Sequence, residues 1–196
     1  MSDATPELGR RKFLTVGTSV VGAVGAGFTA VPFIASWQPS ARAQAAGAPV
    51  EADISKLQPG QKMTVEWRGK PVWIIRRSPE QVQDLESLNG QLRDPNSDEP
   101  QQPIYVKNIH RSIRPEISIL IGICTHLGCS PTYRPEMGTI SDDWKGGFFC
   151  PCHSSRFDLA GRVYQSVPAP TNLVVPPHRY VNDNVVIIGE DQEQSA

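Results

Sequence analysis

Twenty-five or so residues from Phe13 to Trp37 carry no charge, about the length a helix needs to cross a hydrocarbon core of roughly 30 Å. The run is rich in Gly and Ala, as membrane helices often are, and Trp37 stands where an interfacial aromatic belongs. From Gln38 to Val50 the chain is Ala-rich, holds proline and glycine, and shows no apolar periodicity. This stretch reads as a linker. Beyond it the pattern changes to short segments. Lys62–Trp67 alternates like a half-buried strand, and Pro71–Arg77 follows after a Gly-containing turn, which predicts a hairpin. Ser78-Pro79-Glu80-Gln81 offers an N-cap, Pro at N1 and Gln at N3, so a short helix to about Leu88 is expected. Gln91–Pro103 is polar and proline-bearing, a surface loop. Ile117–Ile123 is a continuous apolar run, a buried strand. Tyr180-Val181 and Val185–Ile188 flank Asn182-Asp183-Asn184, a second hairpin. Asp191–Ala196 is a polar tail.

The expected organisation is therefore a short N-terminus at 1–12, an anchor at 13–37, a linker or hinge at 38–50, a folded head at 51–190 and a tail at 191–196. Composition supports a β-rich head, since 18 Pro and 16 Gly in 196 residues imply many turns. A net charge of -1 argues against nucleic acid as a partner. The charges of Arg10, Arg11 and Lys12 precede the apolar run, which should keep that end in the cytoplasm and send the head across the membrane. Gly9-Arg10-Arg11-Lys12-Phe13-Leu14 also resembles a twin-arginine export signal, which suits a protein that receives a cofactor before export. Ala41-Arg42-Ala43 and Ala43-Gln44-Ala45 offer A-x-A cleavage patterns, but the apolar run exceeds the roughly 7–15 residues of a signal peptide, so a retained anchor is the expectation.

The chemistry is concentrated in two loops. One reads Cys124-Thr125-His126-Leu127-Gly128-Cys129 and the other Cys150-Pro151-Cys152-His153-Ser154-Ser155; together they hold all four cysteines. Two Cys and two His suit either zinc or a 2Fe–2S centre. The spacings C-x-H and C-P-C-H fit zinc poorly, because zinc sites favour C-x2–4-C and H-x3–5-H.

Residues 124–155 closely resemble the Rieske family, in the branch that serves quinol-oxidising cytochrome bc and bf complexes. That resemblance implies an all-β fold, an antiparallel head with a cluster-binding subdomain, added to one N-terminal transmembrane helix. It implies one 2Fe–2S cluster, with Cys124 and Cys150 on the inner iron and His126 and His153 on the outer iron. It implies a Cys129–Cys152 disulfide, a pair that the ring-hydroxylating branch lacks. Ser155 matches the family serine that donates to a bridging sulfide. Phe157 stands where the family often has a tyrosine that donates to a ligand sulfur, so a potential at the lower end of the bc-type group is expected. Ser154 and Val167 replace residues that are often glycine. Val167-Pro168-Ala169-Pro170 matches the family's proline loop over the cluster. Leu127, Gly128 and Pro168 are expected at the quinol-site docking surface, with Leu127 either an apolar lip or packed beneath the disulfide. His110 and His178 are expected to be ordinary surface residues.

Two neutral imidazoles in place of two thiolates make the oxidised cluster formally neutral, which favours electron uptake; such centres span roughly -150 to +300 mV. The free imidazole nitrogen can take a proton as the cluster takes an electron. The expected function is electron transfer from ubiquinol or another quinol to a c-type cytochrome. His153 contacts the quinol with His126 nearby, beside a cytochrome b subunit in a dimeric complex of the bacterial inner membrane, with the head in the periplasm. The rivals are a soluble exported Rieske subunit of a molybdenum enzyme such as arsenite oxidase, and a structural zinc module.

Overall fold

The computed structural model describes residues 6–191 and divides them into an N-terminal helical unit and a β head. Helix α1 (Pro6–Ala35) contains the whole uncharged run up to the last two positions. Its uncharged part, residues 13–35, spans about 35 Å at 1.5 Å per residue. The side chains described there are exposed all round, the surface expected of a helix meant for lipid. Its threonines do not break that surface: Thr15 donates to the Arg11 carbonyl and Thr29 to the Gly25 carbonyl, both at 2.8 Å, so their hydroxyls are satisfied within the helix.

The segment read as a linker holds a short helix, α2 (Ala41–Gly47). Ser40 caps it, its hydroxyl accepting the Ala43 N–H at 3.1 Å, and alanine is the strongest helix former. Local propensity accounts for the element without any apolar face. The rest of the segment, up to the first strand of the head, is irregular.

The head is built from three antiparallel three-stranded sheets. Strand β1 (Val50–Asp53) pairs with β9 (Val185–Ile188), which pairs with β8 (His178–Tyr180). Strands β2 (Lys62–Trp67), β3 (Lys70–Arg76) and β4 (Ile117–Ile121) form the second sheet in that order. The third comprises β5 (Thr132–Arg134), β6 (Gly147–Phe149) and β7 (Arg156–Asp158). The apolar run of β3 is explained by its place between two cores. Val72 and Ile74 face a cluster with Ala52, Ile54, Ile119, Val186 and Ile188, whereas Trp73 and Ile75 face one with Phe148, Phe157, Cys124 and Cys150. A strand covered on both faces has no polar alternation to show.

Helix α3 (Pro79–Ser87) starts as its sequence predicts. Ser78 Oγ accepts the Gln81 N–H, and Gln81 Oε1 accepts the Ser78 N–H at 2.9 Å, a complete capping box. The loop after it is less free than its polarity suggests. Leu92 and Ser97 are buried, and Leu92 bridges Tyr164.

Three buried arginines organise the turn that follows β7. Arg162 donates through Nε to Asp158 at 2.7 Å, and both side chains are wholly buried. Arg77 donates to the Leu159 carbonyl and Arg111 to the Ala160 carbonyl. Burial pulls both guanidinium groups down to about 10, with Asp158 pushing back in their favour.

His178 is buried, contrary to expectation. Its Nδ1 lies 2.9 Å from the Pro176 carbonyl, its N–H donates to the Tyr105 hydroxyl at 2.9 Å, and Tyr105 and Tyr180 pack against its ring. The preceding prolines read as a turn in sequence, but residues 172–177 form no turn and run directly into β8. His110 is half-buried, with its carbonyl accepting from Arg77 at 3.0 Å.

Candidate metal centre

The two cysteine loops leave adjacent pieces of the same core. The first follows β4, where Gly122 packs so closely on Trp73 that a Cβ there would overlap the indole ring. Trp73 in turn stacks on Phe148 of β6 at 4.9 Å. The second loop connects β6 to β7.

Both loops fold by the same backbone scheme. Cys124 N–H donates to the Cys129 carbonyl at 2.7 Å, and Gly128 N–H returns to the Cys124 carbonyl at 3.1 Å. Cys150 N–H donates to the Ser155 carbonyl at 2.8 Å, and Ser154 N–H returns to the Cys150 carbonyl at 2.9 Å. The fourth residue after each leading cysteine lies in the left-handed region: Gly128 at φ 83° and Ser154 at φ 60°. That geometry is why glycine suits the position, and Ser154 adopts it despite its Cβ. Val167 has no such requirement; its side chain is buried in the core beneath the loops.

The disulfide forms between Cys129 and Cys152, linking one loop to the other across 23 positions of sequence. Cys150 Sγ lies within 4.8 Å of both disulfide sulfurs, but sulfurs bonded to each other are not free to ligate. The remaining thiols, Cys124 and Cys150, are both buried. Burial pushes the Cys124 thiol up; the His126 backbone N–H and the Ser155 hydroxyl pull it back, while neighbouring Cys150 adds to the rise. His126 and His153 meet edge to face with ring centroids 4.7 Å apart, His126 half-buried and His153 exposed. Leu127 is 70% exposed, so it does not pack beneath the disulfide. Gly128 and Pro168 share that exposure.

His126 Nδ1 is buried with no hydrogen-bond partner. A native fold seldom leaves such an atom orphaned, and here it sits in the loop that begins with a buried thiol. Two sulfur and two nitrogen donors, thiols inside and imidazoles at the rim, fit a 2Fe–2S centre whose irons differ in ligation.

Residues 48–177 match the Rieske [2Fe-2S] domain family. The chain is 65% identical over 185 residues to the ubiquinol–cytochrome c reductase iron–sulfur subunit of Allochromatium vinosum, covering 93% of this chain and 89% of that one. The chain belongs to the Rieske iron–sulfur subunit family. As a Rieske protein it carries one Rieske-type 2Fe–2S cluster. Residues 1–40 match a second family, described as Ubiquitinol-cytochrome C reductase Fe-S subunit TAT signal, which accords with the paired arginines before the apolar helix. The reductase subunit of Bradyrhizobium diazoefficiens is 43% identical over 92% of this chain and 94% of its own. The mitochondrial cytochrome b-c1 complex subunit Rieske of Schizosaccharomyces pombe is 38% identical over 89% and 69%.

Several contacts around this Rieske centre carry no sequence signal. Thr125 Oγ1 donates to the Thr171 carbonyl at 2.7 Å, and Ser155 Oγ accepts the Ala169 N–H at 3.0 Å, so the proline loop is tied to both cysteine loops. Arg93, in the polar stretch read as a loop, donates to the Val167 and Pro170 carbonyls. Long-range contacts to backbone carbonyls leave no periodicity or motif to read.

Proposed function

We propose that Cys124 and Cys150 hold the inner iron and His126 and His153 the outer iron, and that the head carries electrons from a quinol to a c-type cytochrome as the catalytic iron–sulfur subunit of a ubiquinol–cytochrome c reductase. The observation that supports this reading best is the orphaned, buried Nδ1 of His126 in the loop that opens on the buried Cys124 thiol, with the perpendicular ring of His153 open to solvent. The cluster supplies a one-electron acceptor of raised potential. The protein supplies the rest. The buried thiols keep water from the sulfur side, and the disulfide holds the two imidazoles at one edge. His153, the more exposed ring, takes the quinol hydroxyl proton on its free nitrogen. His126 flanks it. Leu127, Gly128 and Pro168 surround that edge with apolar and backbone surface, a fit to the mouth of a quinol pocket built with cytochrome b.

The N-terminal helix anchors the subunit once in the inner membrane, with Arg10, Arg11 and Lys12 inside and the head in the periplasm. Residues 38–50 tether the head, allowing it to visit cytochrome b and the c-type cytochrome within a dimeric complex.

Electron paramagnetic resonance of ascorbate-reduced membranes, with and without an inhibitor of the quinol-oxidation site, tests this reading. A Rieske-type signal that shifts with inhibitor is expected. A signal indifferent to inhibitor would place the cluster in a different electron-transfer partnership, and zinc in place of iron in the purified protein would end the redox reading.

A further inference from the structure

The two cysteine loops are fastened to each other near their tips by the Cys129–Cys152 disulfide. Their roots lie in different sheets, since the first loop leaves β4 and the second leaves β6. One buried side chain joins those roots. Trp73, in the middle of β3, pairs in register with Leu120 of β4. Gly122 lies diagonally across the same strand pair, its N–H donating to the Pro71 carbonyl at 2.8 Å. Glycine is required there by the indole and not by the backbone. Gly122 is not among the residues in the left-handed region, and the three atoms nearest to a Cβ built on it are Trp73 Cε2, Cζ2 and Nε1.

The face of the same ring stacks on Phe148 of β6, with centroids 4.9 Å apart and planes at 15°. Phe148 is held in turn by Tyr133 of β5, at 5.7 Å, and by its pairing with Phe157 of β7. Lys62 Nζ lies over the Trp73 ring at 4.7 Å. The offsets match: Gly122 stands two residues before Cys124, and Phe148 two residues before Cys150. The indole thus meets each loop at the same remove from its buried thiol.

We propose that Trp73 is a positioning residue for the electron-accepting centre: wedged between Gly122 and Phe148, it fixes the separation of the loop roots as the disulfide fixes that of the tips, and with it the spacing of the donor groups between. This rests on the reading that Cys124, His126, Cys150 and His153 ligate the cluster. A close-packed interior passes a change in such a wedge on to its neighbours and does not absorb it as slack. Groups that orient metal ligands from behind act on the metal's properties in the same way.

The test is electron paramagnetic resonance on ascorbate-reduced membranes carrying the full complex, with the signal quantified per iron–sulfur subunit. Wild type is compared with Trp73→Phe, Gly122→Ala and the two changes together. Phenylalanine keeps a ring to stack on Phe148 but lacks the indole edge that faces Gly122, so the first loop gains slack. Trp73→Phe should retain a cluster whose lines are broadened, because the donors no longer keep one spacing. Gly122→Ala drives a methyl into the indole and should lower cluster content about tenfold. In the double variant the methyl takes the space that the indole edge vacates, so line shape and content should both return towards wild type. A residue that only fills the core changes stability without moving the spectrum, so Trp73→Phe with the wild-type line shape would overturn the proposal. A double variant no better than the single changes would show that Gly122 answers to something other than Trp73, and would overturn it too. Failure of the underlying ligand reading is a separate outcome, visible as the absence of a Rieske-type signal in wild type.

Discussion

Asp158→Asn is the change expected to cost the head most for its size. Among the described residues Asp158 is the single acidic side chain in the buried charged and polar set, which also includes Arg77, Arg111 and Arg162. Its Oδ1 accepts the Ala160 and Arg162 backbone N–H groups at 2.9 and 2.8 Å, and its Oδ2 accepts Arg162 Nε at 2.7 Å. Asparagine can keep the Oδ1 contacts, so the turn itself is not dismantled. What it loses is the anion, and its amide would turn N–H towards N–H at Arg162 Nε. Removing one partner of a fully buried pair costs about 3–5 kcal/mol, because the other charge stays behind without compensation. For a domain of this size 1 kcal/mol moves the midpoint by about 2–4 °C, so a fall of roughly 10 °C is expected. The assay is thermal unfolding of the head, residues 46–196, followed by far-ultraviolet circular dichroism. Adding Arg162→Met should recover much of the loss, since an absent pair costs less than a broken one. A fall of less than about 3 °C for Asp158→Asn would refute the idea that this carboxylate is what makes the buried cations tolerable.

Further outcomes follow from other sites. His178 is buried with its pKa held below the ordinary value, chiefly by burial, so the unfolded chain binds a proton that the folded chain refuses. Its contribution is intact above about pH 6.5 and declines as pH falls towards the lower folded value; comparing denaturant midpoints at pH 7.5 and 5.5 with those of His178→Gln should show a smaller acid loss in the variant, and equal losses would rule His178 out. Phe157→Tyr places a hydroxyl in the core cluster that contains Cys124 and Cys150; a new hydrogen bond of about 1 kcal/mol to the reduced centre would raise the midpoint potential by about 40 mV, whereas an unchanged or lower potential in a titration would contradict it. Replacing Cys129 and Cys152 together with serine should lower the melting temperature and loosen the imidazole edge, because a bridge closing a loop of this length is worth about 3 kcal/mol; visible circular dichroism during the melt reads both, and an unaltered melt would show the loops are held by other contacts.

The parts of this protein that were legible in sequence are those whose physics is local. The capping box at Ser78 and Gln81 is a short-range exchange of hydrogen bonds, so it appears in four consecutive letters. The strands β2, β3 and β4 announce themselves by alternation or by an unbroken apolar run. The proposed donor atoms of the metal centre lie in two six-residue loops, and it is the family resemblance of those loops that implies their division of labour. What escaped is long-range. Arg93 reaches carbonyls more than seventy positions away, and backbone acceptors have no residue identity to recognise. Arg77 and Arg111 look like surface charges because arginine usually is one; only the turn at 158–162 shows what they hold. His178 was misjudged because a proline pair usually marks an exposed turn, whereas here it leads directly into β8; α2 left no signal because a stretch without an apolar face can still be helical when it is mostly alanine.

The closeness of Cys150 to the disulfide bears on how the protein matures. A bare Cys150 sulfur within 4.8 Å of both bridge sulfurs is a nucleophile beside an electrophile, and exchange through its thiolate would trade the correct bridge for a Cys150–Cys129 or Cys150–Cys152 link. On the ligation proposed above, iron at Cys150 would remove that nucleophile. Metal loading would then act as a protecting group in the synthetic chemist's sense, and oxidation of the outer pair would be faithful when it came second. Export through the twin-arginine type of signal that residues 1–40 match would, on the proposed topology, impose that order: insertion in a reducing compartment, then sealing in an oxidising one.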